Sequence, residues 1–199
     1  MARAEFFDSR DVFGGGPNFF QGGVSPIPRE TVMFQGQYAP GTIVVSTSER
    51  RLYLVLGNGQ ALRYGIGVGR DGFRWSGVHR ITAKKEWPAW TPPAQMLRRR
   101  PDLPRHMAGG IENPLGARAI YLYEGNKDTL YRIHGTNQPE YIGASISSGC
   151  IRLTNEDAID LYNRVKVGTI VVVLDPKKGD SPYKPQMALQ GGATFAAMQ

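Results

Sequence analysis

From Thr42 onward, apolar and polar positions follow a two-residue rhythm that turn residues interrupt at short intervals. Thr42-Ile43-Val44-Val45-Ser46 and Arg51-Leu52-Tyr53-Leu54-Val55-Leu56 are rich in β-branched and aromatic residues, and Thr47-Ser48-Glu49-Arg50 between them reads as a hairpin connection. Asn58-Gly59 is a second tight turn, into the run Ala61 to Val68. Gly69-Arg70-Asp71-Gly72 turns the chain again before Val78 to Lys85. His79 alternates with apolar neighbours there and reads as a structural residue of a strand face. Arg118 to Glu124 places Ile120 and Leu122 on one face and Tyr121 and Tyr123 on the other. Asn126-Lys127-Asp128 then leads into a strand from Leu130 that ends at His134.

The period changes once. Thr154-Asn155-Glu156-Asp157 has the composition of a helix start, and Ala158, Leu161, Tyr162 and Val165 recur at helical spacing. Gly168 closes that helix, and Thr169 to Leu174 reads as a buried last strand. The pattern as a whole predicts a mostly β fold, a sandwich or open barrel of largely antiparallel strands with one helix after Cys150.

Three stretches fall outside the rhythm. Residues 1–41 are punctuated by glycine, proline and phenylalanine and predict an irregular N-terminal arm. Residues 87–116 form an insertion with Trp87-Pro88-Ala89-Trp90, Pro92-Pro93, Arg98-Arg99-Arg100 and Asn113-Pro114. A loop of this length inside a compact domain is usually functional or mobile. Its tryptophans suit an apolar wall, its arginines suit carboxylates, and His106 reads as a solvated loop residue. Residues 175–199 predict a tail without a core of its own. The expected folded domain therefore covers 42–174.

The chain has 199 residues and a formal charge of +7, which favours an anionic partner. No nucleic-acid-binding motif accompanies the charge, so nucleic acid is not expected as the partner. There is no apolar run long enough for a transmembrane helix. The first residues lack the apolar stretch of a secretory signal. One cysteine and three histidines without zinc-ligand spacing predict neither a disulfide nor a metal site, and no cofactor is expected. Gly65-Ile66-Gly67-Val68-Gly69 is glycine-rich but lacks the setting of a phosphate loop.

The candidate chemistry lies between Ile133 and Asn155. Sixteen positions separate His134 from Cys150, enough for a strand to end at the histidine and a loop to return the cysteine beside it. A thiol becomes a nucleophile as thiolate, and an imidazole can take its proton. Gly135 and Gly149 suit tight backbone there. The amides of Gly149 and Cys150 are candidates for an oxyanion hole, and a carbonyl at or near Gly135 for orienting the imidazole. Arg152 is a candidate either for a substrate carboxylate or for bracing the loop. Thr136 and Ser147 suit local hydrogen bonds that hold the two loops.

His134-Gly135-Thr136 followed by Ser147-Ser148-Gly149-Cys150-Ile151-Arg152-Leu153 resembles the signature of the L,D-transpeptidases, the YkuD domain, over about residues 42–174. In many members a histidine stands where this chain has Ser148. The resemblance implies a YkuD-like β-sandwich with a lid-like insertion against the groove. It implies Cys150 as nucleophile, His134 as base, and a thioester with the third residue of a peptidoglycan stem. It also implies D-alanine as leaving group and an amine acceptor on a second stem or an outer-membrane protein. Arg152, Ser148, Ser147, Thr136, Trp87, Trp90 and Asn113 are then expected to line the substrate. Carbapenem-type β-lactams are expected as covalent inhibitors, and the periplasm as location, with the exporting segment outside this chain. The rival readings are a sortase-like cysteine transpeptidase and an inactive peptidoglycan-binding scaffold.

Overall fold

The computed structural model describes residues 25–71 and 75–175. The strands are β1 (Glu30–Met33), β2 (Ile43–Ser46), β3 (Arg51–Gly57), β4 (Gln60–Gly65), β5 (Val68–Gly69), β6 (Gly77–Glu86), β7 (Arg118–Glu124), β8 (Lys127–His134), β9 (Ser145–Ser147), β10 (Ile151–Arg152) and β11 (Ile170–Val173). The helices are α1 (Ala94–Arg99) and α2 (Asn155–Arg164). Nine strands form one sheet in the order β1-β4-β3-β2-β11-β6-β7-β8-β10, and β5 pairs with β9 beside it.

The fold is mostly β, as the alternation predicts. Asn58 and Gly59 both have positive φ and join β3 to β4, the backbone that a two-residue hairpin turn requires. Two sheet pairs are parallel rather than antiparallel: β2 with β11, and β8 with β10. Parallel neighbours need a long crossover. For β8 and β10 that crossover is the segment between His134 and Ile151, and it carries the candidate site. The expected last strand is half buried, with Val171 and Val173 inward.

The main core lies on one sheet face. Ile43, Leu52, Tyr64, Ile81, Ile120, Leu122, Ile133 and Ile151 are buried there under Ala158 and Leu161 of α2. Thr154 caps α2 by accepting from the Asp157 N–H, a bond worth about 1 kcal/mol. The helix ends at Arg164 rather than at Gly168, because Val165 is already extended.

The irregular arm expected for residues 1–41 needs correction where it is described. Glu30–Met33 pairs antiparallel with β4, and Phe34 and Tyr38 pack on Val44, Tyr53 and Val55 on the other sheet face. Arg29 ties this segment to α2 through Asp157 at 2.9 Å. Burial drives the difference: β2 is buried on both faces, and the aromatic residues of the segment supply the second cover. Residues 1–24, and the expected tail apart from Asp175, lie outside the described residues.

The insertion has a small core of its own, Trp90, Met96, Leu103 and Leu115, and contains α1. Trp90 and Met107 exchange two backbone hydrogen bonds of 2.8 Å.

Candidate active site

His134 is the last residue of β8. In the parallel register Ile151 lies opposite Ile133, and Arg152 opposite His134. Ile133 and Ile151 point into the core, so the pleat sends His134 and Arg152 to the opposite face. Cys150 stands two residues before Arg152 and one before β10, which brings it to the same end of β8, level with Arg132. Strand spacing and a two-residue step put such diagonal neighbours about 8 Å apart at Cα, within reach of a histidine and a cysteine side chain. The register thus places the two candidates for nucleophile and base on adjacent segments of the same sheet edge.

The imidazole is oriented by backbone. His134 Nδ1 lies 2.6 Å from the Gly135 carbonyl oxygen, which can only accept, so Nδ1 carries the proton. Nε2 is therefore the basic nitrogen, and it is buried without a hydrogen-bond partner among the described residues. Burial, reinforced by the Arg152 charge, pushes the imidazole pKa down to about 3, against the pull of the Gly135 carbonyl. The Cys150 thiol is 4% exposed. Burial pushes its pKa up, and a backbone hydrogen bond from Arg132 and the charges of Arg132 and Arg152 act in the opposite sense. Near neutral pH the resting pair is thiol and imidazole, not thiolate and imidazolium.

The segment before the cysteine is held on three sides. Ser147 Oγ donates to the Cys150 carbonyl at 2.6 Å and accepts from the Gly149 N–H at 3.3 Å. The Trp75 indole Nε1 donates to the Gly149 carbonyl at 2.7 Å. Gly149 has φ +112°, a conformation open to glycine and costly for other residues. Its N–H, expected to face an oxyanion, points at Ser147 instead, while the Cys150 N–H has no partner among the described residues.

Several residues expected to line the substrate lie elsewhere. Asn113 is fully buried: its amide donates to the carbonyls of Pro88 and Ala108, and its oxygen accepts from the Leu115 N–H. It closes the insertion on itself. Trp90 is in the insertion core, whereas Trp87 is 43% exposed. Thr136 Oγ1 accepts from the Gln138 N–H, so Thr136 and Ser147 brace their loops. Ser148 and Arg152 are buried as well. Arg152 lies beside His134, where its charge acts on both members of the pair. Of the insertion arginines, Arg100 pairs with Asp102.

Three residues that the sequence reading did not single out support the site. Trp75 is one. Arg132 is a second, gripped by both oxygens of Asp128 at 2.7 and 2.8 Å and lying 4.3 Å from the Tyr121 ring centroid. Asn155 is the third: its Oδ1 accepts from the N–H groups of Ala117 and Thr136 at 2.8 and 3.2 Å. It thereby ties the end of the insertion to the loop after His134. Gly116 and Gly135 pack so closely on this oxygen that a Cβ on either would lie 2.1 or 2.2 Å from it.

The model of the L,D-transpeptidase catalytic domain family, YkuD, matches residues 40–173. The chain belongs to this family. The Escherichia coli K12 protein named probable L,D-transpeptidase ErfK/SrfK is 38% identical over 142 residues, 67% of this chain and 44% of its own. The chain thus spans less than half the length of that curated relative. A solved structure from Brucella melitensis, described as a probable carnitine operon oxidoreductase CaiA, is 52% identical, with a TM-score of 0.51. The match covers 73% of this chain and 92% of that one. An L,D-transpeptidase from Mycobacterium smegmatis shares the fold, with a TM-score of 0.53, at 18% identity over 69% of this chain and 59% of its own. No helix among the described residues is long and apolar enough to cross a membrane, and no cluster there has the makings of a metal site.

Proposed function

We propose that the chain is a peptidoglycan L,D-transpeptidase with Cys150 as nucleophile and His134 as general base. The observation that carries the reading is the unprotonated, unpartnered Nε2 of His134 on the strand beside Cys150. The sulfur adds to the carbonyl carbon at the L-centre of the third stem residue, a diaminopimelate, and its proton passes to Nε2. The carbonyl electron pair moves onto oxygen, where the Cys150 N–H is the available backbone donor. Collapse breaks the bond to the terminal D-alanine, whose nitrogen takes the proton from His134, and leaves a thioester. An acceptor amine then attacks the thioester, with the same proton transfers reversed, and restores the thiol.

The acceptor is the amine of a second stem, which gives a link between two third-position residues, or that of an outer-membrane protein. Action on murein sets the location in the periplasm. The name of the Brucella relative points to redox chemistry instead. In this chain, however, Gly65–Gly69 runs from β4 into β5, with no strand-turn-helix cradle for a dinucleotide.

Intact-mass measurement after incubation with a carbapenem tests the reading. Wild type gains one covalent adduct, and Cys150→Ala gains none. No adduct on the wild type, or one that persists in the variant, rejects Cys150 as nucleophile. Muropeptide analysis with tetrapeptide-bearing murein then separates cross-linking from protein tethering.

A further inference from the structure

The nucleophile loop depends on a side chain 74 positions away in sequence. Trp75 precedes β6, and its ring lies across the sheet face towards β8. It stacks on Tyr131 with centroids 4.1 Å apart and planes 8° from parallel, and meets His79 edge-on at 4.8 Å. These two ring contacts fix the indole from both sides. From that position Nε1 donates to the Gly149 carbonyl at 2.7 Å.

That bond constrains a group at the reacting centre. The peptide unit is planar, with the Gly149 carbonyl and the Cys150 N–H on opposite sides of it. Whatever fixes the carbonyl therefore aims the N–H. Gly149 has no Cβ to restrict its backbone, and its φ of +112° lies where other residues are strained. Without an external partner this peptide is among the freest in the loop to rotate. The Gly149 N–H is already directed to Ser147 Oγ, which leaves the Cys150 N–H as the donor whose direction matters.

We propose that Trp75 is a positioning residue for acyl transfer: its indole N–H locks the Gly149–Cys150 peptide so that the Cys150 N–H meets the oxygen of the tetrahedral intermediate. This rests on the reading of Cys150 as nucleophile. Trp75 touches no reacting atom. It acts when the sulfur–carbon bond forms and the carbonyl π pair becomes a lone pair on oxygen. A donor already in place then avoids the cost of turning the peptide during the reaction.

Two reagents separate this role from a merely structural one. Acylation by a carbapenem passes through an oxyanion. Alkylation by iodoacetamide displaces iodide from a saturated carbon and forms none. In Trp75→Phe, which keeps the stacking surface and lacks the donor, the acylation rate constant is expected to fall about tenfold or more. The alkylation rate constant is expected to stay within about twofold. Replacing the indole by benzothienylalanine, with sulfur in place of N–H, retains shape and packing and is expected to give the same split. This second variant decides the matter if Trp75→Phe does not fold.

Unchanged acylation in a folded variant overturns the proposal, as does an equal fall with both reagents, which marks general loosening of the loop. A wild type that the carbapenem does not acylate at Cys150 overturns the underlying functional reading instead.

Discussion

Replacing His134 by glutamine removes one titration from the native state and leaves the rest of the protein's acid behaviour in place. The imidazole has an ordinary pKa of 6.5 and one of about 3 in the folded chain. The unfolded state therefore binds a proton that the native state refuses throughout that interval. Stability rises with pH wherever the unfolded state holds more protons. The contribution of His134 is thus fully present above pH 6.5 and is lost as the solution is acidified towards 3. At about pH 4 the unfolded imidazole is almost fully charged and the buried one almost fully neutral, so the group costs the wild type about 3 kcal/mol relative to neutral pH. A folded pKa one unit higher changes that figure little.

Urea unfolding of wild type and His134→Gln at neutral pH and at about pH 4 measures the difference. Titrations common to both proteins, including the raised Asp157 and the lowered Asp128 and Asp160, cancel in the comparison. The wild type is expected to lose about 3 kcal/mol more than the variant over the interval. Parallel decline within about 1 kcal/mol would show that the imidazole is solvated, and the neutral base at Nε2 would go with it. Wild-type acylation carries a second signature: no acid limb centred near the ordinary histidine pKa.

Two further expectations rest on the supports of the site. Asn155→Ala leaves the Ala117 and Thr136 N–H groups without their acceptor, which costs about 2 kcal/mol in urea unfolding. Asn155→Asp keeps the oxygen and is expected to recover most of it; equal loss in both variants would refute the role of Oδ1. Asp128 partly neutralises Arg132, whose charge favours the Cys150 thiolate. Asp128→Asn is therefore expected to lower the apparent thiol pKa and speed iodoacetamide alkylation near pH 8 by about two- to threefold. Arg132→Gln shifts the rate in the opposite direction, and a common direction for the two variants would refute the electrostatic account.

How much of this was legible follows from how local each signal is. The alternation in β3, β4 and β7 declares which residues face the core, and Asn58-Gly59 declares a turn, because both are settled within a few residues. His134 and Cys150 were legible as candidates because the crossover between β8 and β10 bears the family signature. Strand β1 was hidden: Glu-Thr-Val-Met offers one inward residue, Val32, beside a proline-rich stretch, and it forms because β4 supplies an edge. Two-residue β10 has no period to read. Asn113 looks like a ligand-facing loop amide until the carbonyls of Pro88 and Ala108 are seen around it. Trp75 and Asn155 are the strongest cases. Their acceptor and donors lie on segments distant in sequence, and nothing adjacent to either residue announces them.

The electrostatics of the pair explain why a held backbone donor matters at this site. Arg152 and Arg132 both favour the thiolate, and both disfavour the imidazolium. Proton transfer within the pair alone would create a buried imidazolium beside two guanidinium groups, which is unfavourable. The proton can move to Nε2 when negative charge leaves the sulfur for an oxygen that is stabilised elsewhere, and it must then move on quickly to the departing amine. A base with a pKa near 3 holds the proton only transiently, so the free energy of the step depends on how well the oxygen is received. In the proposed mechanism the Cys150 N–H supplies that reception; the Gly149 carbonyl on the other side of its peptide is held by Trp75. On this account a resting thiol that is sluggish towards simple alkylation and a loop that acylates efficiently are two consequences of one arrangement.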